Sequence, residues 1–173
     1  MEVKWSGDYI TVVSPKNSGY EVIYSSDSVM ALPVVGGEFV VRKEPLPAYM
    51  VQGSEQKYWT VLSGGVESGE SPLQALKREV EEEAGIRLSR IKVFERKERI
   101  PYVKHTTQRV SFYFFEVLEY EEMEPQGDGS DIEENSETHR VGLSELKNLS
   151  NKENADFLLN FVTKCAEARY GDT

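Results

Sequence analysis

Between Gly64 and Ile86 the chain reads GGVESGESPLQALKREVEEEAGI, a glycine-rich turn that runs directly into a segment with one arginine and four glutamates. Ser71 suits an N-cap, Pro72 suits the first helical position because its missing N–H would find no partner there, and Gln74 completes a capping box with Ser71. Gly85 suits the left-handed residue that closes a helix, so the spacing predicts a helix over 72–84. At about 100° per residue, with Glu79 at zero, Leu73, Leu76, Val80 and Ala84 form an apolar stripe, while Glu82, Glu79 and Glu83 form an acidic arc along its edge. Glu81 points away from that arc.

A glutamate-rich helix is ordinarily a solvated face. Here like charges stand one turn apart with only Arg78 near enough to relieve them, and a bound divalent cation answers that cost. The glycines at 64, 65 and 69 let backbone groups approach a phosphate or offer a carbonyl to a metal.

Gly64, Glu70, Arg78-Glu79-Val80, Glu82-Glu83 and Gly85-Ile86 together resemble the complete signature of the Nudix hydrolases, with no departure at any fixed position. The resemblance implies an α+β fold, an α/β/α sandwich around a mixed sheet. It also implies hydrolysis of a nucleoside diphosphate linked to a second group, with Mg²⁺ or Mn²⁺ as cofactor.

The flanking order agrees. Residues 1–28 read as a short antiparallel β segment, with strands at 9–13 and 20–24 around a turn. Strands follow at 29–35 and 38–42, joined by a tight Gly36-Gly37 hairpin, then a loop over 43–57 and a strand over 58–62. Beyond the helix come strands at 91–100, 109–118 and 138–143, a short helix over 145–148 capped by Ser144, and a terminal helix starting at Asn151 or Asn154. That last helix is expected to bury Phe157, Leu158, Phe161, Val162 and Cys165.

With 173 residues the chain suits a single domain core. The single Cys165 excludes an internal disulfide, and two histidines make a histidine metal site a poor expectation. The net charge of −10 argues against duplex nucleic acid as a partner. All of that excess lies in 116–137, which has ten acidic residues and no basic one. No apolar run approaches a membrane span, and no signal-peptide pattern opens the chain, so a cytoplasmic protein is expected.

Several stretches are similar to the ADP-ribose pyrophosphatase branch of the Nudix hydrolases. These are 27–34 at the opening of the catalytic domain, Pro101, the 134–141 segment and 151–161. The branch implies a catalytic domain over 29–173, preceded by a β segment over 1–28 that is exchanged in a homodimer. It implies ADP-ribose as substrate, cleaved to AMP and ribose 5-phosphate. Where that branch continues with an aromatic and a second arginine after 41–43, this chain has Glu44-Pro45. Tyr102 also stands near a tyrosine of dinucleoside polyphosphate hydrolases. A nucleotide-sugar or dinucleoside polyphosphate hydrolase, or a nucleotide-sensing module without catalysis, therefore stays open.

Carried onto this chain, the resemblance makes Glu79, Glu82 and Glu83 metal ligands, with the Gly64 or Ser63 carbonyl completing the set. Arg78 holds the glutamates in place, and Glu70 braces the loop or supports a ligand. Glu134 is the first candidate for the general base because a loop can carry it in with substrate, followed by Glu133 and Glu137. Arg42, Arg109 and Gly65 are candidates for the phosphates, Pro101 and Tyr102 for the substrate pocket, and Trp5, Tyr9 and Tyr20 for stacking a base.

Overall fold

The computed structural model describes residues 2–171 apart from 8, 9, 17, 18, 52 and 128, so Tyr9 lies outside the described residues. In chain order the elements are β1 (Glu2–Ser6), β2 (Ile10–Ser14), β3 (Val22–Ser25), β4 (Ser28–Val35), β5 (Glu38–Pro45), α1 (Pro47–Val51), β6 (Lys57–Thr60) and β7 (Leu62–Gly65). There follow α2 (Pro72–Ala84), β8 (Ile86–Pro101), β9 (Arg109–Glu122), α3 (Asp131–Glu134), β10 (Glu137–Val141), α4 (Leu143–Ser150) and α5 (Phe157–Tyr170).

Strands β1 to β3 form a separate three-stranded antiparallel sheet. The main sheet has the order β10-β5-β4-β9-β8, with β6 on β5 and β7 on β4. The β4–β9 pair is parallel and the others antiparallel, which makes the sheet mixed.

Successive side chains of a strand point to opposite faces, so a strand covered on both faces is apolar throughout. Leu32, Val41 and Phe114 go to one core with Leu146, Leu159 and Val162 of α4 and α5. Their neighbours Ala31, Val40, Tyr113 and Phe115 go to a second core with Leu76 and Val80 of α2. Helices therefore cover both faces of the sheet, the α/β/α sandwich of an α+β fold.

Helix α2 is bounded as its sequence requires. Ser71 Oγ accepts from the Gln74 N–H, the capping box is complete, and Gly85 is left-handed at φ 63°. A Cβ on Gly85 would overlap the Met123 carbonyl oxygen. Gly85→Ala is therefore expected to cost about 2 kcal/mol or more, read as a lower urea midpoint at constant m.

Elsewhere the structure departs from the sequence reading. The 43–57 loop contains the end of β5 and the short helix α1. The strand over 58–62 is two strands broken at Val61, because β6 pairs with β5 while β7 pairs with β4. Strands β8 and β9 are longer than their apolar cores predict. Their outer ends carry cross-strand ion pairs, Arg90–Glu119 at 2.6 Å and Arg87–Glu121 at 3.3 Å, which offset the poor strand propensity of glutamate. Part of the acidic connection is thereby strand.

Gly142, not Ser144, caps α4. Asp156, not Asn151 or Asn154, caps α5, its Oδ1 accepting from the Leu158 N–H at 2.7 Å. The buried face of α5 is Leu159, Val162, Thr163 and Ala166, while Cys165 is half-buried. Phe157 and Phe161 are 63% and 53% exposed, against Tyr102 and Phe112 respectively. Two apolar stripes compete on this helix, and the sheet covers the one with the smaller side chains. No described helix is long and apolar enough to cross a membrane.

Candidate active site

The buried stripe of α2 is Ala75, Leu76, Glu79, Val80 and Glu83, whereas Leu73 is 41% exposed. The helix is thus rolled so that Glu79 and Glu83 lie in the middle of the covered face rather than along its edge. Gly64 of β7 makes this packing possible, since a Cβ there would overlap the Glu79 carboxyl group. A glycine is required at this position for close approach, not for its φ.

Two arginines divide the carboxylates between them. Arg78 Nη1 donates to Glu79 at 2.7 Å and to Glu82 at 2.9 Å, and Nη2 donates to the Gly65 carbonyl at 2.7 Å and to Glu70 at 3.2 Å. One guanidinium so joins α2 to the glycine turn and spends its donors on four acceptors. Glu70 also accepts from the Glu67 N–H at 3.1 Å. Burial works against the Glu70 carboxylate, yet these hydrogen bonds outweigh it and leave its pKa below the usual range. Glu70 braces the loop.

Glu83 is held from the other side. Its carboxylate accepts from the Ser63 N–H at 3.0 Å and lies 3.4 Å from Arg42 Nε, while its carbonyl accepts from the Thr138 hydroxyl at 2.6 Å. Arg42, 2% exposed on β5, also bonds Glu44 at 2.9 Å and Glu133 at 2.8 Å. As they stand, no three described acidic, histidine or cysteine side chains are grouped as a metal ion would need them, because the acidic arc is split between Arg78 and Arg42. The shared arginines decide this, because each draws its carboxylates to its own side.

Burial sets the protonation of these groups. It pushes Glu79 up to about 7 against the opposing pull of Arg78, and raises Glu83 well above the carboxylate range against that of Arg42. Such desolvated oxygen donors suit a hard divalent cation, which would favour their charged forms. Glu81, as its angle requires, faces away and pairs with Arg87 at 2.9 Å.

Arg42, Glu82, Glu83, Glu133 and Glu134 line a cavity of about 380 Å³, with Pro125, Gln126, Gly127 and Gly129 on another side. The Gly127 N–H donates to the Glu82 carbonyl at 3.2 Å, so the acidic connection returns to the helix it follows. Glu137 stands apart, 45% exposed and paired with Lys57 at 2.6 Å. Arg109 donates to the Arg99 carbonyl at 3.1 Å, Pro101 is exposed at the end of β8, and Trp5 is 55% exposed on β1. Tyr20 lies against His105, with ring centroids 5.7 Å apart. Tyr102 lines a second pocket beside Ser63, Gly64 and Gly65.

Glu44 and Thr138 escape the sequence reading because their role lies in the β5–β10 and β5–β6 pairings, which bring residues far apart in the chain onto Arg42 and α2. Residues 27–161 match the NUDIX domain family.

The chain belongs to the Nudix family. It is accordingly a Nudix pyrophosphatase, and Nudix enzymes generally use divalent cations. Among curated proteins no match is found. Among solved structures, one titled as an ADP compounds hydrolase has a TM-score of 0.64 at 17% identity, covering 98% of this chain and 92% of that one. A MutT structure, from work on Aliivibrio salmonicida and Vibrio cholerae, has a TM-score of 0.56 at 22% identity, covering 83% of this chain and 98% of its own. At these identities the likeness is one of fold.

Proposed function

We propose that this Nudix pyrophosphatase hydrolyses a nucleoside diphosphate linked to a sugar, with ADP-ribose cleaved to AMP and ribose 5-phosphate. The observation that carries the reading is the packing of the Glu79 carboxyl against Gly64, beside the Gly65 turn and within reach of Arg78. Buried carboxylates and an open backbone turn meet there, as hydrolysis of a diphosphate requires. The choice of ADP-ribose is supported by the fold shared with the ADP compounds hydrolase, whose coverage of this chain reaches into the N-terminal sheet.

Glu79, Glu82 and Glu83, with the Gly64 or Ser63 carbonyl, would hold Mg²⁺ or Mn²⁺. Bound there, the cation would neutralise charge on the diphosphate and lower the pKa of the attacking water. Arg78 keeps Glu79 and Glu82 oriented through the Gly65 carbonyl. Arg42 orients Glu83 and Glu133 and faces the cavity where a phosphate is accommodated. Glu134 accepts the proton of the attacking water, and Glu133, tied to Arg42, is the next candidate. The exposed Val3, Trp5, Ile10, Ile23 and Tyr24 of the small sheet support a homodimer.

The test is turnover of ADP-ribose, NADH, diadenosine polyphosphates and GDP-mannose with Mg²⁺, reading release of the mononucleotide. ADP-ribose is expected to give the highest kcat/KM, and a chelator is expected to abolish activity. Faster turnover of another compound overturns the substrate, and full activity in chelator overturns the metal assignment.

A further inference from the structure

We infer that Glu44 is a positioning residue of the cation site. It takes the one Nε hydrogen of Arg42, keeps that guanidinium from closing on Glu83, and so leaves a Glu83 oxygen able to hold a divalent cation. The inference rests on the pyrophosphatase reading and adds to it how a buried arginine and a metal-holding carboxylate stand together without cancelling.

A buried arginine beside a carboxylate ordinarily forms a two-pronged pair, with Nε–H and one Nη–H on the two carboxylate oxygens. A Glu83 bound that way would have both oxygens committed. The surroundings favour such a closure, since Arg42 and Glu83 are 2% and 5% exposed. The structure shows another arrangement. Arg42 Nε donates to Glu44 Oε2 at 2.9 Å, and Nη2 pairs with Glu133 at 2.8 Å. Nε carries a single hydrogen, so Glu83 Oε1, 3.4 Å from it, is attracted by charge and not by that hydrogen. Glu83 Oε2 accepts from the Ser63 N–H. Oε1 therefore keeps lone pairs to offer, on a residue that lines the cavity with Glu82, Glu133 and Glu134.

Glu44 reaches Nε because of strand geometry. Residues 42 and 44 of β5 point to the same face, and the pairing of Glu44 with Tyr58 of β6 fixes where the carboxylate starts. Tyr58 Oη donates to Glu44 Oε1 at 2.7 Å, which leaves Oε2 for Arg42. The Glu44 side chain is 13% exposed, so little water competes for either oxygen. Three carboxylates then share one guanidinium, an excess of negative charge that a bound divalent cation relieves.

The experiment separates the reach of Glu44 from its charge. Glu44→Asp keeps the charge but is one methylene shorter, and the β5–β6 pairing keeps the backbone from following. Glu44→Gln keeps the reach, with its amide oxygen on Nε, and loses the charge. Mn²⁺ binding is measured without substrate by the loss of the free-ion EPR signal, alongside the thermal midpoint in chelator. Glu44→Asp is expected to weaken Mn²⁺ about tenfold and Glu44→Gln less than about threefold. In a Glu83→Gln background the oxygen that Glu44 protects is no longer anionic, and Glu44→Asp is expected to weaken Mn²⁺ less than about twofold further. Unchanged Mn²⁺ binding in Glu44→Asp overturns the inference, with or without a lowered midpoint. So does an equal loss in Glu44→Gln, or the full loss persisting in the Glu83→Gln background. Wild-type protein that binds no Mn²⁺ overturns the cation site of the proposed function, and the inference with it.

Discussion

Glu79→Gln is expected to lower kcat by about three orders of magnitude, roughly 4 kcal/mol of transition-state stabilisation, with the fold retained. Under the proposed role, the change removes one anionic oxygen from the centre of the cation site and keeps its shape. The fold survives because Arg78 still has Glu70, Glu82 and the Gly65 carbonyl as acceptors. Burial already pushes Glu79 up to about 7, so a neutral isostere is no stranger to that position. Glu81→Gln is the control, since Glu81 lies on the outer face with Arg87 and its loss is expected to change turnover less than twofold. Mononucleotide release and thermal midpoints measured together decide the matter. Near-normal turnover by a folded Glu79→Gln enzyme would sink the assignment.

Arg42→Met is the variant expected to cost most in stability, about 3–5 kcal/mol. Arg42 is the cation between Glu44, Glu83 and Glu133, and it is buried with Glu83. Removing it leaves carboxylates desolvated and facing one another, which costs far more than the loss of a surface pair. Adding Glu83→Gln to the variant is expected to recover about 1 kcal/mol or more, because one of the stranded charges is then gone. Urea unfolding in chelator, so that no added cation substitutes for the guanidinium, measures both. A loss below about 1 kcal/mol in the single variant would show that these carboxylates are relieved in some other way.

Helix α2 was legible residue by residue because everything that bounds it is local. Ser71, Pro72, Gln74 and Gly85 act on backbone groups within a turn of themselves, so no distant contact is needed to read them. Strand positions were legible from their apolar runs. Their ends were not, since β8 and β9 extend as far as each finds a partner in the other. The buried face of α5 is not legible in the sequence for a related reason. Periodicity identifies apolar stripes, but Phe157 and Phe161 compete with Leu159 and Val162, and the sheet decides between them.

The site divides along the same line. The sequence by itself determined which groups are present, the Gly64–Ile86 signature with its glutamates, Arg78 and glycine turn, and with them the Nudix family. Only the tertiary structure decided how those groups are disposed. It rolled α2 until Glu79 and Glu83 lay under the sheet, and divided the carboxylates between Arg78 and Arg42. Spacing along one helix fixes angles about its own axis. Which angle faces the core depends on surfaces that come from elsewhere in the chain.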